Sequence, residues 1–238
     1  MLFMLSARWA DDIRTRDRSQ HRGQWHYINF PFKPNGQPST VQTKPPEIVN
    51  IITALAENEH LTKTVSDPGQ KAIALTWLFH LVGDIHQPLH SAQIFTTGYP
   101  NGDRGGNSVC VRTKESNQAI NLHRFWDGVI TTSSNMTRLN NEATTLRNRS
   151  EFSKNQLTEL ASTDYEAWVK ESLQIATTIT YQNGAIGTPK GEFKDCSEIV
   201  DAKLMPNGYT RLAGRIADRR IMLAGYRLAD LLKRVTSN

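Results

Sequence analysis

Residues 80–90 read HLVGDIHQPLH: three histidines and an aspartate in one short run, with Leu81, Val82, Ile85 and Leu89 set between them. The apolar spacers predict a buried segment, yet titratable side chains are rarely buried without partners. His80 and Asp84 are four apart, so on a helix they share one face. A second pair with the same spacing, His123 and Asp127, stands in NLHRFWD. Two H-x-x-x-D pairs among apolar residues are what a metal site inside a helical bundle requires, because imidazole nitrogen and carboxylate oxygen both suit zinc. Pro88 is expected to end the regular helix and let His90 bend back beside the first pair. His26 in QWHYIN and Asp11 in ARWADDIR add two donors in aromatic surroundings.

A single histidine on an apolar face is more often a hydrogen-bonded core residue than a ligand. Two His–Asp pairs, taken jointly with HQPLH and W-H-Y, weigh against that reading. His86 is ambiguous, and one role open to it is to donate a hydrogen bond to a ligand carboxylate. His21 and His60 lie in polar stretches and read as solvated. The tryptophans read as core, with Trp25 and Trp126 also candidates for pocket walls. Asp103 and Asn107, in DRGGN, either shape a glycine turn or serve the pocket.

The 238 residues are read as one mainly helical domain, a bundle with long loops at the helix ends. Hydrophobic residues make up 38% and charged residues 21%, which excludes a disordered chain; MLFML is too short to span a bilayer and is read as lacking the basic flank and small-residue cleavage site of a signal peptide. The net charge of +5 favours anionic partners. Prolines 31, 34, 38, 45 and 46 mark a loop. Helices are expected up to about Ile13, from about Pro46 through Leu55, over 67–84, around Leu122–Ile130, and at about 154–181 and 208–234. Residues 92–112 read as a glycine-rich loop with a small hairpin as one option. Cys110 and Cys196 could pair or stay reduced. Sequons at Asn135 and Asn148 permit glycosylation only along a eukaryotic secretory route.

ARWADDIR, QWHYIN, HLVGDIHQPLH, DRGGN and NLHRFWD, in that order and spacing, resemble the zinc-dependent single-strand-specific nucleases of the S-one and P-one type, related in fold to zinc phospholipase C. The similarity runs from Ser6 onward through AWVKES and LAGYRLADLL. The HLVGDIHQPLH signature is highly specific, whereas DRGGN alone is weak. Three zinc ions belong to that family. By matching positions the resemblance implies that Asp11, His26 and His80 bind one ion, with Asp84 bridging toward another as the catalytic hub. It gives His90, His123 and Asp127 to the second ion of the close pair. The third ion is held in the family by an N-terminal tryptophan and a nearby histidine. The sequence opens MLFMLSARWADD without them, so the third site is expected to be incomplete in a chain lacking the family's first helix. An upstream continuation of the gene is expected to restore it.

The implied activity is hydrolysis of single-stranded DNA or RNA to 5′-nucleotides, with 3′-nucleotidase activity, by a hydroxide held between metal ions. Tyr27 matches a stacking position, Asn29 sits where some relatives carry aspartate, and Asn107 and Arg104 are candidates for phosphate contact. A monomer without membrane insertion, secreted or periplasmic, is implied, although no signal peptide is read. Two alternatives stand beside this: a phospholipase C-like phosphodiesterase, and an inactive zinc-stabilised protein.

Overall fold

In the computed structural model, which describes residues 2–236, seven α-helices carry the architecture: α1 Leu2–Arg16, α2 Ile51–Thr64, α3 Pro68–Asp84, α4 Leu122–Asp127, α5 Met136–Arg147, α6 Tyr165–Ile175 and α7 Tyr209–Thr236. The expected mainly helical class holds. Strand content is small. β1 (Phe30–Phe32) pairs in parallel with β2 (Ala92–Ile94), and β3 (Val109–Val111) lies antiparallel between β4 (Ile120–Asn121) and β5 (Thr188–Pro189). The 92–112 stretch is therefore not a hairpin. Its two strands go to different sheets.

Local chemistry sets the boundaries. Asp67 caps α3 by accepting from the Gln70 N–H at 2.8 Å, and Pro68 occupies the first turn, where its missing N–H costs nothing. The helix expected from Pro46 instead starts at Ile51. Asn50 accepts from the Ile52 and Thr53 N–H groups while Thr53 Oγ1 accepts from the Asn50 N–H, and Ile48, which a helix from Pro46 would carry on the face of Ile51, Ile52 and Leu55, is 91% exposed. The expected 154–181 helix is a run of 3₁₀ turns until Asp164 caps α6 at the Ala167 N–H, and the chain then widens into a π-turn over Ala176–Thr180. Helix α5 was not expected, because it buries no residue and so leaves no periodic apolar signature.

Two main cores are accompanied by two smaller apolar clusters, one around the Cys110–Cys196 pair and one around Phe152 and Leu223. The first main core gathers Ile51, Leu55, Trp77, Leu78, Leu81, Ile85, Trp168, Leu228 and Leu231; the second gathers Leu89, Ile94, Val109, Leu122, Trp126, Tyr181 and Tyr209. The 80–90 segment runs from the first into the second, with Leu81, Val82 and Ile85 in one and Leu89 in the other. Cys110 and Cys196 form a disulfide across 86 residues, fastening β3 to the segment before α7. Closing a loop of that length restricts the unfolded chain and is worth about 2–4 kcal/mol.

Candidate metal centre

Donor atoms of Asp11, His26 and His80 lie within 4.8 Å of one another, and so do those of His90, His123 and Asp127. Asp84 joins the two groups. Its Oδ2 is 2.9 Å from His26 Nδ1, 3.0 Å from His80 Nε2 and 3.9 Å from His90 Nδ1. The His90 and His123 rings stand 4.9 Å apart. All seven residues singled out as donors thus converge, drawn from α1, α3, α4, the 3₁₀ turn at Gly23–His26 and the turn at Pro88–His90.

Backbone carbonyls aim three of the four imidazoles. His80 Nδ1 donates to the Ala7 carbonyl at 2.7 Å, His90 Nδ1 to that of His26 at 2.6 Å, and His123 Nδ1 to that of Gly105 at 2.6 Å. Each such bond fixes the ring and leaves Nε2 as the available donor, the usual outer-sphere arrangement of metal-ligating histidine. The fourth, His26, presents Nδ1 to Asp84 and His80. Gln87 donates to Asp127 Oδ1 at 2.9 Å and accepts from the Leu89 N–H at 2.5 Å, tying Asp127 to the His90 turn. Chain separation between these partners hides such contacts from a linear reading.

The DRGGN loop explains why the carbonyl of Gly105 reaches His123. A Cβ on Gly105 would fall 2.6 Å from the Leu89 carbonyl oxygen, and φ is positive at Gly102, Arg104, Gly105 and Gly106. Asp103 is fully buried and holds this turn, accepting from the Ile94 N–H (2.9 Å), the Gly106 N–H (2.6 Å) and Tyr181 Oη (2.8 Å). Burial nevertheless pushes its carboxyl up to about 6. Asp103 is a loop anchor, and Asn107 donates to the Arg104 carbonyl at 2.9 Å while lining the pocket.

Electrostatics favour cations here. Burial acts to lower the His80 pKa, but the Asp84 carboxylate, Asp11 and the Ala7 carbonyl outweigh it and raise it to about 9. The Asp84 carboxyl is held far below its ordinary value: burial opposes this, and the charges of His90 and His80 with hydrogen bonds from His26 and His80 prevail. Burial and the neighbouring His90 lower His123. A carboxylate ringed by imidazoles, with four nitrogen and three oxygen donors in two groups, fits divalent metal ions and suits zinc.

A cavity of about 450 Å³ opens onto four of the donors, Asp11, His26, His90 and His123, and is also lined by Arg14, His21, Tyr27, Asn29, Glu47, Gln93, Arg104 and Asn107. His21, read as merely solvated, is at this rim. Arg14 and Glu47 were not singled out from sequence; the i, i+3 spacing of Arg14 from Asp11 was an available signal, whereas Glu47 had none. Trp25 packs on Trp77 at 4.9 Å and does not line this cavity, whereas Trp126, which donates to Tyr209 Oη at 3.0 Å, lines a second pocket of about 280 Å³ together with Asp84, His90 and Asp127. His86 has both ring nitrogens engaged elsewhere: Nδ1 donates to the Val82 carbonyl at 2.8 Å and Nε2 accepts from Arg227 at 2.8 Å. It does not serve a ligand carboxylate.

A family model described as S1/P1 nuclease matches residues 2–237. Among curated proteins, Endonuclease 3 of Arabidopsis thaliana is 28% identical over 93% of this chain and 77% of its own length. Endonuclease 5 of the same plant is 27% identical over 94% of this chain and 79% of its own. Nuclease S1 of Aspergillus oryzae is 26% identical over 51% of this chain and 39% of its own.

Proposed function

This chain belongs to the S1/P1 nuclease family, a family of hydrolases, and on that premise we propose that it is a zinc-dependent phosphodiesterase of single-stranded DNA or RNA that also removes the phosphate of 3′-nucleotides. The observation that carries the reading is the convergence of six donors into two groups of three, joined by a seventh, the Asp84 carboxylate. Asp11, His26, His80 and Asp84 would hold one ion; His90, His123 and Asp127 would hold a second, with Asp84 between them. When bound, such ions supply Lewis acidity at the phosphoryl oxygen and lower the pKa of water.

The chain's own residues do the rest. Arg14 and Arg104 on the cavity wall give cationic contacts for phosphate oxygens. Tyr27 offers an aromatic face on which an unpaired base stacks. The donors sit among packed helices and turns, so the strand must enter without its complement. The disulfide suits an oxidising compartment, in keeping with a secreted or periplasmic protein, and no helix among the described residues is long and apolar enough to cross a membrane.

Metal content by mass spectrometry, measured beside hydrolysis of denatured and duplex DNA, tests this. Bound zinc, preference for denatured DNA and loss of activity on chelation are expected. Undiminished hydrolysis after complete chelation, or bound zinc without turnover of any nucleotide, contradicts it.

A further inference from the structure

Glu47 is an anomaly in a cavity meant for an anionic substrate. It lines that cavity, and among the described residues no Lys, Arg or His lies within ion-pair distance of it. Its two partners are both on Asn29: Oε2 accepts from the Asn29 backbone N–H at 3.0 Å and Oε1 from the Asn29 side-chain amide at 2.6 Å. A carboxylate repels phosphate, so its place in the cavity calls for a ligand group rich in donors.

The Asn29 contacts fix what the wall offers. Because an ionised carboxylate can only accept, the Asn29 amide must point its NH₂ toward Glu47, leaving its carbonyl oxygen as the free end. A carboxylate accepts roughly four hydrogen bonds, and Asn29 supplies one to each oxygen, so each keeps an acceptor site. Glu47 and the Asn29 amide oxygen therefore present an edge of acceptors to the cavity. Burial and, after it, this carboxylate raise the Tyr27 pKa, against the opposing charge of Arg104.

Among the bases, guanine has two adjacent donors on its Watson–Crick edge, N1–H and the N2 amino group, which match the two oxygens of a carboxylate. Adenine and cytosine each place an acceptor beside their amino group, and uracil or thymine has a lone N–H between two carbonyls. We propose that Glu47, positioned by Asn29, makes this cavity selective for guanine. The proposal rests on the nuclease reading and adds base specificity to it. The recognised edge is occupied in a duplex, so the same contact also disfavours paired substrate.

Steady-state hydrolysis of the four 3′-mononucleotides by the metal-loaded wild type and by Glu47→Gln decides the matter. The wild type is expected to favour guanine over adenine by about tenfold or more in kcat/KM, with the advantage in KM. Glu47→Gln, which offers one donor and one acceptor, is expected to erase that ratio and move it toward adenine. The ratio is taken within one sample, so a partly unfolded variant does not distort it. Equal use of all four bases by the wild type, or an unchanged ratio in Glu47→Gln, overturns the guanine assignment and leaves the nuclease reading intact. Hydrolysis of none of them overturns both.

Discussion

The two sides of the 80–90 segment bury charge in opposite ways. On the cavity side, His80 and His90 each give Nδ1 to a backbone carbonyl and leave Nε2 without a backbone partner, that of His80 standing 3.0 Å from Asp84. On the far side, His86 spends both nitrogens on protein partners. There Arg227 reaches the two Glu171 oxygens at 2.8 and 2.6 Å, and Arg220 meets Glu171 at 2.5 Å, Ser172 at 2.7 Å and the His86 carbonyl at 3.1 Å. Burial and the two arginines keep His86 neutral, its pKa well below the usual value. The difference teaches that a buried histidine is a candidate ligand when one nitrogen is left over, and a structural element when none is.

Asp84→Ala should break the cavity side completely. Removing the carboxylate leaves three imidazoles without their shared partner, so loss of at least one metal equivalent and a fall in turnover on the order of a thousandfold or more are expected. Metal analysis with denatured-DNA hydrolysis measures both. Glu171→Gln should break the far side instead. It strands two buried guanidinium groups, and denaturant unfolding should show a loss of about 3–5 kcal/mol. His86→Gln should cost less, about 1–3 kcal/mol, with metal stoichiometry unchanged. A loss of metal from that variant would show that the two sides are not separate.

The smallest effect is in the pH response of the chelated protein. His80 is raised to about 9 from its ordinary 6.5. A raised histidine stabilises the fold fully below the unfolded value and loses that contribution as pH climbs through the folded one. Stability of the chelated protein should therefore decline between about pH 6.5 and 9, and metal loading should flatten that decline because metal replaces the proton. Thermal melts across this range are the check.

Much of this was legible in the linear sequence, for physical reasons. The two i, i+4 His–Asp pairs place donors on helix faces by geometry alone, and α3 and α7 announce themselves through their apolar periodicity and, for α3, its Asp67–Pro68 start. Helix α5 did not, because a helix that buries nothing has no pattern to read. Leu157 and Leu160 mimic helical spacing across 3₁₀ turns, and only the Asp164 cap marks where α6 begins. Glu47 and the carbonyls of Ala7 and Gly105 act through contacts between distant parts of the chain, which no local rule anticipates.

X-ray diffraction at the zinc absorption edge, on crystals grown with zinc, tests the central claim most directly. Anomalous peaks are predicted at two places, one bounded by Asp11, His26, His80 and Asp84 and one bounded by His90, His123 and Asp127. A zinc-replete crystal with no peak at either place would contradict it.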